Sequence, residues 1–234
     1  IVKKLNLDLF TYVMDWEEFK DLQRAYFKAS VLDLDVPADH MIFGALYKVA
    51  SEENIKFILS GKNVVTENTL PKSWNYSKFD FTNLKNIHKK FGEKPLRQLP
   101  ALGAWQFAVY TSLRNIKTIQ LLDYVDYNKA EAKKILIQKL EWKDYGGKHY
   151  ESIFTRFYQG YILPYKFHID KRKAHLSNLI FSGQITKEEA LDALAKPIYS
   201  TESLLNEDRV FVAKKLGFEI EEFDGLLRLP NRRH

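Results

Sequence analysis

Residues 55–68 read IKFILSGKNVVTEN, a short apolar and β-branched run that ends abruptly at a Ser-Gly pair. The run predicts a strand over Ile55–Leu59, and the polar residues after it predict a loop at the strand's carboxyl end. Ligands bind at that edge of open parallel sheets. Gly61 would allow close backbone approach, Lys62 could contact phosphate, and Glu67 could hold Mg²⁺ or orient a nucleophile. Alternatively, this is a polar loop whose Ser and Asn side chains satisfy turn hydrogen bonds.

The residues on either side of this run predict an α/β region with a parallel sheet over residues 1–125. Hydrophobic periodicity and capping residues indicate strands interleaved with helices. The predicted elements are a strand over Leu7–Val13, a helix from an Asp15–Glu18 capping box to about Ala29, a helix from Pro37 to about Glu53, a long loop over Asn68–Thr82, a short helix over Asn83–Phe91, a buried helix over Trp105–Leu113 and a third strand over Ile116–Val125.

From about Asp126 the pattern becomes helical, and residues 126–234 are predicted to form an α-helical domain. Capping residues and apolar spacing mark six helices. They are expected from Asn128 to about Leu140, over His149–Leu163 and Asp170–Phe181, from a Thr186–Glu189 capping box, over about Asn206–Leu216 and over Ile220–Leu229. The predicted fold class is therefore α/β followed by a mostly α-helical C-terminal region.

Composition and motifs exclude several classes of protein. The 234 residues carry 36 Lys and Arg against 30 Asp and Glu, a formal net charge of +6, and 45% are apolar, which is too many for disorder. The absence of cysteine excludes disulfides, thiolate metal sites and thiol nucleophiles, and it permits the expected cytoplasmic location. No apolar run reaches the about 20 residues of a membrane span, and no two of the six histidines have the i, i+4 spacing of zinc ligands. P-loop, dinucleotide-binding, nucleophile-elbow and zinc-protease motifs do not occur.

Two further places in the sequence could bind an anion. A proline opens a predicted helix, whose N-terminal N–H groups attract negative charge, and Asp39 and His40 flank that position. Alternatively, Asp39 only complements the helix dipole. Lys148 lies on a polar line of one later helix, and Lys171 and His175 share a face of the next. These two basic lines could frame a phosphate or a sugar, or they could equally be solvated faces.

Several longer segments resemble one protein family. They are KFILSGKNVVTEN at 56–68, LDYVDYNKAEA at 122–132, the run from Tyr145 to Leu191 that contains GGKHYES and DKRKAHLS in order, and KLGFEIEEF at 215–223. These segments resemble the N-acetyl sugar amidotransferase family, the synthase subunits of lipopolysaccharide O-antigen biosynthesis. The similarity runs over nearly the whole chain and is densest in the Tyr145–Leu191 run.

The resemblance implies a PP-loop ATP pyrophosphatase fold, which is adenine nucleotide alpha hydrolase-like, for residues 1–125. Enzymes of this kind adenylate a carbonyl-type oxygen with Mg-ATP, release pyrophosphate and let ammonia displace AMP. The implied substrate is a UDP-linked N-acetyl sugar, and the implied product is an acetamidino sugar. ATP and Mg²⁺ are the expected cofactors, and a separate glutaminase subunit is the expected partner that supplies ammonia.

The resemblance also implies site residues. Lys62 and Glu67 are the expected catalytic residues, with Glu67 also a Mg²⁺ ligand. The ATP pyrophosphate is expected at Ser60, Gly61, Lys62, Asn63 and Lys129, and the sugar substrate at Lys148, Lys171, Arg172 and His175. The anion site at the helix N-terminus, independently of the resemblance, adds Asp39 and His40 to the expected substrate residues.

One departure from the family pattern concerns the nucleotide site. The family signature is Ser-Gly-Gly-x-Asp-Ser, but Ser-Gly occurs here only at Ser60-Gly61 and Ser182-Gly183, and the one Gly-Gly is at 146–147. The sequence also opens at Ile1 without an initiator methionine. We therefore expect a fragment of the enzyme that neither hydrolyses ATP nor binds it tightly.

Two alternative functions stay open at this point. A PP-loop relative could modify tRNA, or a non-catalytic helical module could bind a polyanion through residues 143–175, in which case its affinity would fall steeply with salt. Nucleic acid is the less expected partner, because the aromatic residues of that segment have core spacing rather than the exposure of a stacking surface.

Overall fold

Helices make up most of the computed structural model, which describes residues 1–68, 70–144 and 152–232. In chain order the described elements are α1 (Trp16–Ala29), α2 (Val36–Glu52), β1 (Phe57–Ser60), α3 (Val64–Glu67), α4 (Phe81–Phe91), α5 (Ala104–Ala108), β2 (Lys117–Gln120), α6 (Lys129–Leu140), α7 (Ile153–Phe157), α8 (Leu163–Phe167), α9 (Lys171–Phe181), α10 (Lys187–Ala195), α11 (Glu202–Leu216) and α12 (Ile220–Arg228). Within these ranges, no helix combines the length and the apolar character that a bilayer crossing requires.

Polar caps begin several helices where the sequence predicts them. The Asp15 side chain accepts from the Glu18 amide at 2.9 Å, and Asn128 accepts from two amides at the start of α6. The capping box of α10 is complete, because the Thr186 side chain accepts from the Glu189 amide at 3.1 Å and the Glu189 side chain accepts from the Thr186 amide at 2.7 Å. The predicted reciprocal bond at α1 is wrong, since the Glu18 carboxylate accepts from a different segment.

Two buried carboxylates of α1 hold the chain that follows α4. Glu18 Oε2 accepts from the amides of Arg97 and Gln98 at 2.8 and 2.9 Å. Asp21 Oδ2 accepts from the Glu93 amide at 3.0 Å. These bonds satisfy backbone donors that no helix or strand uses, so this irregular segment has a fixed path beside α1.

The sheet contains two parallel strands, with Phe57 of β1 opposite Lys117 of β2. Parallel pairing agrees with the predicted α/β class, while a PP-loop domain stays a prediction. The predicted strand over Leu7–Val13 is wrong, because this segment pairs with no strand in the described structure. The strand predicted over Ile116–Val125 is shorter than expected, because Leu121–Tyr124 forms a 3₁₀ turn.

The segment predicted as a buried helix over Trp105–Leu113 is helical but not buried. α5 continues into a π-type turn at Val109–Leu113. Trp105 and Leu113 are each 77% exposed. The prediction of burial is therefore wrong at both ends of this segment.

The helix predicted over His149–Leu163 ends later than expected. α7 and α8 are joined by a π-type turn at Tyr158–Ile162, and the helix continues to Phe167. Pro164 follows the π-type turn directly, in the first turn of α8. The predicted start lies outside the described residues.

α11 begins at Glu202, earlier than the predicted Asn206. Thr201 supplies the cap, since its side chain accepts from the Leu204 amide at 3.2 Å. The predicted end at Gly217 is confirmed, with the glycine in the left-handed region at φ 69°.

The main hydrophobic core takes side chains from both sides of residue 125. Leu22 and Tyr26 of α1 are fully buried against Phe157 of α7 and Phe223 of α12. A smaller core lies between α2 and the sheet region. The domain boundary between residues 125 and 126 stays a prediction.

Candidate functional site

The loop after β1 lies at the carboxyl end of the parallel sheet, as predicted. Its polar groups bond to one another: Ser60 Oγ accepts from the Lys62 amide at 3.1 Å, and Asn63 Oδ1 accepts from the Thr66 amide at 2.9 Å. Gly61 and Lys62 are exposed, whereas Asn63 is buried. The loop therefore presents a lysine to solvent, while its Ser and Asn side chains satisfy turn hydrogen bonds.

A carboxylate already occupies the start of α3. Asp123, just after β2, accepts from the Val64 amide through Oδ1 at 2.7 Å. A pyrophosphate would have to displace this carboxylate in order to reach the same N–H group, and the remaining negative charge would repel it. The amides of Lys62 and Val64 are therefore already engaged, and a pyrophosphate at Ser60–Asn63 would have to displace their acceptors to use them.

Glu67 and Lys129 lie in one neighbourhood. Burial, and secondarily the Glu67 carboxylate, raise the pKa of Tyr127. Gln184 joins this tyrosine to the start of α6, because its Nε2 donates to the Tyr127 carbonyl and its Oε1 accepts from the Lys129 amide, both at 3.0 Å. The described residues contain no group of three His, Asp or Glu side chains able to hold a metal ion. Glu67 could contribute one ligand to Mg²⁺ that is otherwise held by phosphate oxygens.

α9, from the C-terminal part of the chain, packs against this loop. Asn178, which is buried, donates from Nδ2 to the Thr66 carbonyl at 3.1 Å, and α9 packs against α3. Lys171 and His175 precede Asn178 on the same face of α9, and both are half-buried. Two of the predicted substrate residues therefore lie on the helix that contacts the predicted pyrophosphate loop.

An acid–base cluster lies where α9 meets the start of α2. Lys78 Nζ lies 2.6 Å from Asp33 Oδ2 and 3.4 Å from Asp39 Oδ2. The second oxygen of Asp33, Oδ1, is buried and has no hydrogen-bond partner in the described part of the chain. Lys171 Nζ lies 5.4 Å from the centroid of the Tyr158 ring. Asp39 and Lys171, which the sequence predicts as substrate residues, are thus both members of this cluster.

Burial dominates the electrostatics of the cluster. It raises the pKa of Asp35 to about 7, against the attraction of Lys171. Burial also raises the pKa of Asp39, and Lys78 opposes that shift. Asp35 can therefore gain or lose a proton close to neutral pH, which is the property of a general acid or base.

His40 is part of the core. Its Nε2 accepts from the Leu102 amide at 3.0 Å, so the other nitrogen, Nδ1, donates to the Lys78 carbonyl at 2.7 Å. Its ring stacks on Phe81 at 5.3 Å, and burial lowers its pKa. The imidazole is therefore neutral with both nitrogens engaged, and we leave His40 out of the candidate site.

Arg172 also has partners within the protein. It pairs with Asp170 at 2.8 Å and donates from Nη1 to the Lys196 carbonyl at 2.7 Å, just past the end of α10. Its guanidinium therefore connects the start of α9 to the end of α10, and we leave it out of the candidate site as well. Lys148 lies outside the described residues.

Sequence reasoning did not select Asp33, Asp35 or Lys78 as site residues. A signal for the two aspartates exists: they alternate with Leu32 and Leu34, and burial of both leucines draws the intervening carboxylates inward. For Lys78 no such signal exists, because only the fold of the long loop after α3 brings it to this place.

Comparison with known proteins gives one match. Residues 151–234 match the family described as LPS biosynthesis protein WbpG-like, C-terminal domain. No curated protein and no solved structure matches the chain. The matched segment contains α7 to α12, including Lys171 and His175, and it supports a relation of this chain to a lipopolysaccharide biosynthesis family.

Proposed function

We propose that the chain acts in lipopolysaccharide biosynthesis as part of an ATP-dependent N-acetyl sugar amidotransferase. The family match of residues 151–234 supports the biosynthetic role. One observation supports the position of a sugar site: α9, within the matched segment, brings Lys171 to the carboxylates at the start of α2. The glutaminase partner and the UDP-linked sugar belong to the proposal.

The charges of the acid–base cluster suit an uncharged polar group. Lys78 and Lys171 face Asp33, Asp35 and Asp39, so the cluster carries little net charge whichever way Asp35 is ionised. We propose that the acetamido-sugar ring binds here, with Lys171 donating to the acetamido oxygen. Asp35 would take the proton that the attacking ammonia loses, because its pKa of about 7 matches that task.

ATP would supply the adenylyl group that converts the acetamido oxygen into a leaving group, and Mg²⁺ would accompany it. Because Ser60, Asp123 and Asn63 engage the amides of Lys62, Val64 and Thr66, and Asp123 adds a negative charge, the residues described here do not by themselves fit a triphosphate. We therefore derive no step through ATP from this loop. Mg-ATP titrated into the chain in a calorimeter should show no micromolar binding, and such binding would contradict this assignment.

The activity test uses the complete gene product, with ammonia, Mg-ATP and UDP-linked diacetamido sugars. We expect pyrophosphate release that depends on both sugar and ammonia. Lys171→Ala should lower kcat at least about tenfold, whereas Lys173→Ala, two positions along the helix on an exposed site, should not. Pyrophosphate release that requires tRNA instead of sugar would favour the tRNA-modifying alternative and contradict the proposal.

A further inference from the structure

A cavity lies among α8, α11 and α12, apart from the site described above. Its volume is about 250 Å³, and it is open to solvent. Its lining residues are Tyr161, Tyr165, Glu202, Leu205, Asn206, Arg209, Asp224, Leu227 and Arg228. None of them belongs to the acid–base cluster or to the loop after β1, so the amidotransferase proposal does not use this cavity.

A column of aromatic rings leads from the core to this cavity. Phe157, Tyr161 and Tyr165 are four residues apart along the helix, and their rings stack in sequence, with centroids 5.3 and then 5.1 Å apart. Phe157 is fully buried, whereas Tyr165 is 52% exposed. The outermost ring is therefore held in a fixed orientation while much of its surface faces solvent, as a preformed contact surface for an apolar ring face requires.

A hydrogen-bonded arginine orders the polar side of the cavity. Arg209 forms a bidentate pair with Asp224, and its Nη1 donates to Asn206 Oδ1 at 3.0 Å. The Asn206 amide nitrogen, the Glu202 carboxylate and the Arg228 guanidinium form no hydrogen bond within the described ranges. The cavity thus offers two kinds of donor and one acceptor that are available to a ligand.

The size and charge of the lining restrict the ligand. Two arginines balance two carboxylates, so the lining is neutral and does not favour phosphate. Its volume lies below the about 300–1,000 Å³ of pockets for drug-sized ligands, which suits one ring rather than a nucleotide. A pyranose has an apolar C–H face and a rim of hydroxyl groups that both donate and accept, and this combination matches an exposed tyrosine ring beside amide, carboxylate and guanidinium groups.

We propose that this cavity binds a single uncharged saccharide ring. Tyr165 contacts the apolar face of the sugar, and Asn206, Glu202 and Arg228 form hydrogen bonds with its hydroxyl groups. The Arg209–Asp224 pair does not itself need to contact the sugar, because it positions Asn206.

The test is saturation-transfer NMR on the full chain with three probes in turn: methyl N-acetyl-glucosaminide, glucuronate and UMP. We expect saturation of the ring C–H protons of the neutral sugar, with weaker signals for the two anions. Tyr165→Ala and Asn206→Ala should each weaken binding at least about tenfold, and circular dichroism checks their folding. Tyr124→Ala, which removes an 80% exposed tyrosine elsewhere, should leave binding unchanged.

Three results would overturn the proposal. The first is no saturation transfer to the neutral sugar, and the second is stronger saturation transfer to UMP than to the sugar. The third is an equal loss of sugar binding in the Tyr165→Ala and Tyr124→Ala variants. Lys171→Ala separates this proposal from the amidotransferase proposal, since it should reduce turnover without changing sugar binding at this cavity.

Discussion

Glu18 lies at the point where α1 meets the irregular segment after α4. Its carboxylate is almost completely buried and accepts from three consecutive amides, those of Arg97, Gln98 and Leu99. Glu18→Ala leaves these donors without their acceptor, and we expect it to lower the free energy of unfolding by about 3 kcal/mol. Urea denaturation followed by circular dichroism measures this change.

The neighbouring Glu17 is a matched control for Glu18. It is exposed, and within the described residues it forms ion pairs with Lys20 and Lys94 at the surface. Glu17→Ala should leave the urea midpoint almost unchanged, because exposed ion pairs contribute little. If Glu18→Ala and Glu17→Ala lowered the free energy of unfolding equally, the buried Glu18 carboxylate would have no special role as an acceptor.

Asp35 makes stability depend on pH with an unusual sign. Burial raises its pKa from the ordinary 3.8 to about 7, so between these values the native state binds more protons than the unfolded state. The contribution of Asp35 to the free energy of unfolding therefore falls as the pH rises between these two pKa values, and it is lowest above them. Asp35→Asn should resist urea better than the unmodified protein at about pH 8, by up to about 4 kcal/mol, and about equally at pH 4.

The same substitution should reduce turnover, because Asp35 is the proposed proton acceptor. Asp8→Asn, at an exposed position near the start of the chain, is the control. It should change the urea midpoint equally at both pH values. If Asp35→Asn shows no difference between the two pH values, the carboxyl titrates at its ordinary pKa and cannot act as proposed.

Arg172 shows how one side chain couples two helices. Its guanidinium bonds to Asp170 at the start of α9 and to the carbonyls of Leu194 and Lys196 at the end of α10. Arg172→Ala leaves these carbonyls without a charged donor, and we expect a loss of about 2 kcal/mol in the free energy of unfolding. The KM for sugar should stay the same in the complete enzyme.

Lys173→Ala is the control for Arg172, since Lys173 is exposed on the same helix. It should change neither the urea midpoint nor KM. A raised KM in Arg172→Ala with unchanged stability would restore the sequence-based prediction that this arginine binds the substrate.

Helices could be predicted from sequence more accurately than strands or burial, and the reason is physical. The caps at Asp15, Asn128 and Thr186 act over three residues, so local sequence specifies them. A strand needs a partner that is distant in sequence, and Leu7–Val13 has the right composition but no partner in the described structure. The burial of Trp105 was also predicted wrongly from local patterns. Periodicity identifies a helix but does not specify which other residues cover that helix.

The same limit applies to the candidate site. The position of the loop after β1, and the shared face of Lys171 and His175, follow from local periodicity and were predictable. The Asp123 carboxylate at the Val64 amide was not, because it bridges residues 59 positions apart. Asp39 was selected because it flanks the N-terminus of a predicted helix, yet its ion pair with Lys78 depends on how a long loop folds.

At the level of the whole molecule, one main core joins the two predicted halves of the chain. The Phe223 ring of α12 lies 5.3 Å from that of Phe27 in α1 and 6.1 Å from that of Phe157 in α7. We therefore expect the chain to unfold in a single transition. Fluorescence and circular dichroism test this together in a Trp142→Phe background. The remaining tryptophans, Trp16, Trp74 and Trp105, all lie before residue 126, whereas helices throughout the chain contribute to circular dichroism.

Phe223→Ala makes this test sharper. The ring is fully buried, so its removal should cost about 3–5 kcal/mol, and Phe181→Ala, at a 79% exposed ring, should cost far less. With Trp142 replaced, residues 126–234 contain no tryptophan, so the fluorescence midpoint can shift with Phe223→Ala only if the N-terminal and C-terminal helices unfold together. A circular dichroism midpoint that falls while the fluorescence midpoint stays in place would mean that residues 126–234 unfold independently, as the predicted domain boundary implies.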